Sequence, residues 1–210
     1  MDRTALGYFS AMLALVAVGV ALLIGVNLSP ARHLVANPGN TGVLSAGGVA
    51  GGVSVASPRS SGSWSATFGE IPLCVTKAGA RVRLDRLRTE GPLTPSRVRA
   101  LVRTVPAPGQ RSGPATRWEM LGSAYGEYPH LSNGPFAGAV RPFGGVIEQR
   151  CDPAGTAHAF TELWVGMTAR GAGALVTDLL VDYTYEGHRH TLVIDWQMAM
   201  CGSAVPKRLC

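Results

Sequence analysis

The sequence predicts an all-β protein: an antiparallel immunoglobulin-like β-sandwich at residues 64–210, preceded by one N-terminal transmembrane helix at 1–30 and a flexible linker at 31–63. Three observations predict it. Residues 175–201 spell out a long β-hairpin, short strand-like runs separated by turn residues recur from residue 64, and uncharged apolar residues are concentrated at the amino terminus. The charged fraction of 15% is low against the usual quarter, because that apolar end dilutes it.

From residue 4 to residue 31 only Tyr8 has an ionisable side chain. The run AMLALVAVGVALLIGV and its flanks exceed the roughly 20 residues needed to cross about 30 Å of hydrocarbon. The competing reading is a cleaved signal peptide ending at Ser29-Pro30-Ala31, but the apolar run is long for one and Met1-Asp2-Arg3 is a weak basic start. An uncleaved anchor is therefore favoured. Arg3 before the span and Arg32 with His33 after it leave the positive-inside count nearly balanced.

The cysteines orient the chain instead. Cys74, Cys151, Cys201 and Cys210 are even in number, well separated and form no CxxC pair, which points to disulfides rather than to zinc or a thioredoxin-like motif. Disulfides persist outside the cytosol, so the amino terminus is placed inside and the domain outside the cell membrane. Two pairings compete: Cys74–Cys151 with Cys201–Cys210, or Cys151–Cys201 with Cys74–Cys210.

Residues 37–63 are rich in Gly, Ser, Ala and Val and hold no aromatic residue, too little apolar surface to offset chain entropy. As a flexible tether they would span on the order of 30 Å. The domain is expected to start at Trp64 with the strand WSATFGEIPLCVT, where Pro72 implies an edge or a bulge. A second strand covers 80–84, and Pro92-Leu93-Thr94-Pro95 interrupts. Residues 96–105 fit helical spacing, but Val98, Ala100 and Val102 also alternate with Arg97, Arg99 and Arg103, and an edge strand between prolines is the reading taken. Residues 106–145 are Gly- and Pro-rich and contain Trp118, Tyr125, Tyr128, Phe136 and Phe143, the pattern of a long functional or mobile loop. Strands resume at 145–151 and 160–168.

The hairpin folds at Glu186-Gly187, where a type I′ turn needs positive φ at both central residues. That turn pairs Tyr185 with His188, Tyr183 with His190, Val181 with Leu192, Leu179 with Ile194, Thr177 with Trp196 and Leu175 with Met198 on an apolar face. The opposite face pairs Thr184 with Arg189, Asp182 with Thr191, Leu180 with Val193, Asp178 with Asp195 and Val176 with Gln197. With the IPLC strand at 71–74, the WQMAMCG segment at 196–202 and the arginine-heavy composition, the chain resembles uncharacterised membrane-anchored extracytoplasmic β-domain proteins of actinobacteria. The resemblance implies no catalytic residues.

Candidate chemistry is sparse. His188 and His190 lie two apart on one strand face, a geometry suited to copper or zinc, with Met198 and Met200 further along. The same face carries Leu192, Ile194 and Trp196, so core and rim is the preferred reading and metal handling through His188 and His190 the alternative. Asp178 facing Asp195 suggests an acid/base couple without a third partner, and GVSVA at 52–56 is not a nucleophile elbow, so no enzyme and no cofactor are expected. Arginine is the main surface feature: Arg81, Arg83, Arg86, Arg88, Arg97, Arg99 and Arg103. Arg97, Arg99 and Arg103 are the candidate contacts to an anionic lipid or cell-envelope polymer, with an envelope protein as another class of partner and nucleic acid excluded by location. The bland reading is a charged edge that discourages strand-to-strand aggregation. Without Arg3, Arg32, Arg59 and Asp2 the domain has 16 basic and 12 acidic residues, so a cluster rather than net charge must act.

Overall fold

A computed structural model describes residues 42–47, 49, 51–58, 62–112, 117–151 and 159–210. The transmembrane segment expected at 1–30 lies outside them, and among the described residues no helix is long and apolar enough to cross a membrane. The strands are β1 (Leu44–Ser45), β2 (Gly51–Val55), β3 (Trp64–Pro72), β4 (Cys74–Val75), β5 (Val82–Glu90), β6 (Arg97–Val105), β7 (Ser123–Tyr125), β8 (Ala139–Pro142), β9 (Gly145–Ile147), β10 (Phe160–Ala169), β11 (Ala174–Tyr185) and β12 (His188–Met200). They form two five-stranded sheets, ordered β7-β3-β10-β6-β8 and β2-β12-β11-β5-β9, and a small β1-β4 pair. One buried cluster joins the inner faces: Ala66, Phe68, Val102, Leu163, Val165 and Met167 from the first sheet, and Val82, Leu84, Leu179, Val181, Leu192, Ile194 and Met198 from the second. The architecture is a β-sandwich.

The hairpin follows its expected register from Tyr185 opposite His188 to Asp178 opposite Asp195, and Glu186 and Gly187 take φ of 48° and 79°. Beyond that point the register shifts. Val176 pairs with Met198, Leu175 with Ala199 and Ala174 with Met200, which replaces the expected partners of Leu175, Val176 and Thr177. The irregularity moves Val176 and Ala174 into the main core and sends Leu175 to a separate cluster with Ala199 and Val205. Residues 97–105 form a strand, as the alternation suggests, but not the edge strand expected, because β8 pairs with it on the side away from β10. In β3, two residues of the Gly69–Glu70 region oppose one of β10, a bulge just ahead of Pro72, and Glu70 takes a φ of 59°.

The linker expected at 31–63 needs correction where it is described. β2 runs parallel to β12 at the edge of the second sheet, and Leu44 and Ser45 pair with Val75 and Cys74. Its glycines allow close approach: a Cβ on Gly52 would lie 2.6 Å from the Gln197 carbonyl oxygen. Glycine content that reads as flexibility in sequence here lets one strand lie against another. The loop expected at 106–145 likewise contains β7 and β8, added to opposite edges of the first sheet. The disulfides are Cys74–Cys151 and Cys201–Cys210, with Cα separations of 4.8 and 5.8 Å, so the pairing that joined Cys151 to Cys201 is not formed.

Candidate functional site

Each sheet turns one face to the shared core and one away from it, and arginines gather on both outward faces. On the first sheet, β6 sets Arg97, Arg99, Leu101 and Arg103 opposite Thr168, Gly166, Trp164 and Glu162 of β10. The insertion between β6 and β10 folds over one end of this face. Leu121 and Ala124 from it join Leu101 and Trp164 in a second core, with Tyr128, Leu131, Phe136 and Val140 packed around them.

Arg103 and Glu162 lie beneath that cover with side chains 0% exposed, and their N–H···O contact is 2.9 Å. Arg103 also donates to the carbonyls of Ala137 (2.7 Å), Glu119 (2.8 Å) and Arg117 (3.0 Å), and its guanidinium lies 5.2 Å from the Phe136 ring centre and 5.5 Å from that of Trp164. The other Glu162 oxygen accepts the backbone N–H groups of Leu121 (2.8 Å) and Glu70 (3.0 Å). Gly69 makes room, since a Cβ there would lie 2.6 Å from that carboxylate oxygen. Burial pushes the Glu162 carboxyl above its ordinary range, opposed by the Glu70 N–H and the Arg103 guanidinium, and burial lowers the Arg103 guanidinium. Arg103 is therefore removed from the candidate surface contacts: through three carbonyls it ties two backbone segments of the insertion, at 117–119 and at 137, to the sheet. Arg97 stays 61% exposed and pairs with Glu127 at 3.2 Å, while Arg99 is exposed with no ion pair among the described residues.

On the second sheet, cross-strand rows can be read over β5, β11 and β12. Arg83, Thr184 and Arg189 form one row; Arg86, Asp182 and Thr191 the next; Arg88, Leu180 and Val193 the third. Arg83 and Arg86 are three apart, a spacing that points to opposite faces in a regular strand. A register shift at Asp85 brings both outward, because Leu84 pairs with Tyr183 while Arg86 pairs with Asp182. Between the rows lies an open cleft of about 480 Å³ lined by Arg83, Asp85, Arg86, Asp182, Arg189 and Thr191, with Tyr183 and His190 at its side.

Both carboxylates of the cleft are already held. Asp182 accepts two bonds from Arg88 (2.8 and 3.0 Å) and one from the Thr191 hydroxyl (2.7 Å), and Arg88 holds it below the usual carboxylate range. Asp85 accepts from Arg83 (3.0 Å) and from the Thr184 hydroxyl (2.6 Å). Arg86 and Arg189 form no hydrogen bond or ion pair among the described residues.

His188 is exposed beside the turn and His190 stacks on Tyr183 at 5.2 Å. Among the described residues no three His, Cys, Asp or Glu side chains gather to hold a metal, and Met167, Met198 and Met200 are buried in the main core. Asp178 and Asp195 face each other across the ladder, and the Thr177 hydroxyl donates to Asp178 at 2.8 Å. Sequence reasoning missed Glu162. Its signal was a lone carboxylate inside the apolar run FTELWVGM, matched by a lone arginine in ALVRTV. No known protein family, curated protein or solved structure matches this chain.

Proposed function

We propose that this chain is a single-pass membrane protein that presents a disulfide-bonded, immunoglobulin-like binding or envelope-structural domain outside the cytosol, in line with its resemblance to actinobacterial extracytoplasmic β-domains. The two disulfides carry the reading, since such bonds are rare where glutathione and thioredoxin keep thiols reduced. Strand order supports the immunoglobulin-like part. The central strands β3-β10-β6 and β5-β11-β12 follow the B-E-D and C-F-G arrangement in chain order, and β2 lies beside the last strand. The partner class is an anionic lipid or envelope polymer met by exposed arginines, with Arg97 and Arg99 on β6 as contacts.

The location is tested on protein from native membranes. Unreduced peptide mapping is expected to recover both bridges, and the chain is expected to stay with membranes through high-salt and carbonate washes. Four free thiols, or a soluble product starting near Arg32, would overturn the reading. For the β6 contacts, the pair R97Q and R99Q is expected to weaken binding to acidic liposomes and flatten its salt dependence; unchanged binding removes β6 from the site.

A further inference from the structure

We infer that the cleft on the outer face of β5, β11 and β12 is a binding site for a phosphoryl oxyanion, with Arg86 and Arg189 as its principal contacts and Arg83 completing a three-sided cradle. The inference rests on the anion-binding reading above but places the site on the other sheet.

Three observations carry it. Arg83 and Arg189 end one cross-strand row on either side of Thr184, and Arg86 begins the next. Two strand spacings, about 10 Å, separate the row's ends, a gap that two arginine side chains span together. All three arginines line the one cleft that opens above β11.

The second observation is the state of the carboxylates. Asp182 is engaged by Arg88 and Thr191, and Asp85 by Arg83 and Thr184. Their hydrogen bonds are met within the sheet and brace Arg88 and Arg83, while Arg86 acts on Asp182 only through its charge. Among the described residues, an anion entering the cleft meets two guanidiniums with no hydrogen-bond partner and a third whose two terminal nitrogens have none.

The third is the backbone. The shift at Asp85 is what brings Arg83 and Arg86 to one face, and a bulge that re-aims side chains is a recurrent device beside functional sites. Guanidinium forks suit phosphate geometry, and a tetrahedral group offers oxygens to three forks at once, whereas one fork satisfies both oxygens of a planar carboxylate. His190 stacks on Tyr183 at the cleft's side.

The test uses the full chain in a neutral detergent, with inorganic phosphate titrated by nuclear magnetic resonance and, separately, vesicles of phosphatidylglycerol in phosphatidylcholine. Saturable phosphate binding is expected, weakened roughly tenfold or more by R86Q with R189Q, and nearly unchanged by R97Q with R99Q. Near-ultraviolet circular dichroism checks that each variant folds, and R86K with R189K, which keeps charge but removes the forks, is expected to restore binding only in part. Vesicle binding with the same dependence on Arg86 and Arg189 identifies a lipid headgroup as the source of the phosphoryl group; phosphate binding without it identifies a soluble or polymer-borne one. Absence of saturable phosphate binding overturns the inference. So does binding lost in the β6 variant but kept in the β5/β12 variant, an outcome that leaves the β6 contacts standing.

Discussion

The outer faces of the two sheets begin from the same sequence pattern, arginines alternating with apolar residues, and reach opposite ends. On the first sheet the insertion between β6 and β10 closes over Arg103, which becomes fully buried with Glu162 as its partner and three carbonyls around it. On the second sheet the cleft stays open, its carboxylates are bound by neighbours, and Arg86 and Arg189 remain available. An alternating pattern states which face a side chain takes. Whether that face meets water depends on what else the chain lays over it. The same residue type then serves as a structural tie in one place and as a binding group in the other.

The covered face offers the largest effects. Cys151 closes the stretch that carries the insertion, and its bridge to Cys74 spans a sequence separation of 77, against 9 for Cys201–Cys210. In the chain-entropy model, losing the first costs about 4.5 kcal/mol and losing the second about 2.7 kcal/mol. Denaturant titration of C74A/C151A beside C201A/C210A measures the gap. Equal losses would show that the long bridge stabilises no more than the short one.

Next comes the buried pair. R103A leaves Glu162 buried without its cation and is expected to destabilise by about 3–5 kcal/mol, with faster proteolysis between β6 and β10. The double change R103M/E162L is expected to recover only part of that loss, since it removes the uncompensated charge but leaves the carbonyls of Arg117, Glu119 and Ala137 and the N–H groups of Glu70 and Leu121 without these partners. A single substitution costing under about 1 kcal/mol would mean that the aromatic cluster alone holds the insertion down. On the open face, R86Q/R189Q is expected to shift stability by no more than about 0.5 kcal/mol. A larger loss would indicate that these arginines serve the fold.

The smallest effects are in pH dependence, and the two faces differ in sign. Asp182 is lowered beside Arg88, so its contribution is full above its ordinary value of 3.8 and is lost as pH falls through the lowered one. Glu162 is raised by burial, so its contribution is full below its ordinary value of 4.5 and is lost as pH rises through the raised one. Stability profiles of D182N and E162Q are expected to flatten on opposite sides, the acid side for D182N; matching profiles would erase the distinction between the faces.

Residues near one another in sequence determined much of this protein. The Glu186-Gly187 turn and the alternation on both sides set the hairpin register as far as Asp178 and Asp195, and alternation between flanking prolines pointed to the strand at 97–105. Two of the three strand columns around the cleft, β11 and β12, were legible for that reason, with Thr184 opposite Arg189 and Asp182 opposite Thr191. The third column was not, because β5 joins β11 from nearly a hundred residues away and its shift at Asp85 has no local turn signature. Glycines at 51 and 52 read as tether until β12 lay beside them. Arg103 read as a surface group until the insertion covered it, and the cysteine pairing stayed open until strand ends met. Turn chemistry and alternation act over a few bonds and need no partner to be read. Cover, edge pairing and cross-links join distant segments, and only the assembled sheets decided which segments those were.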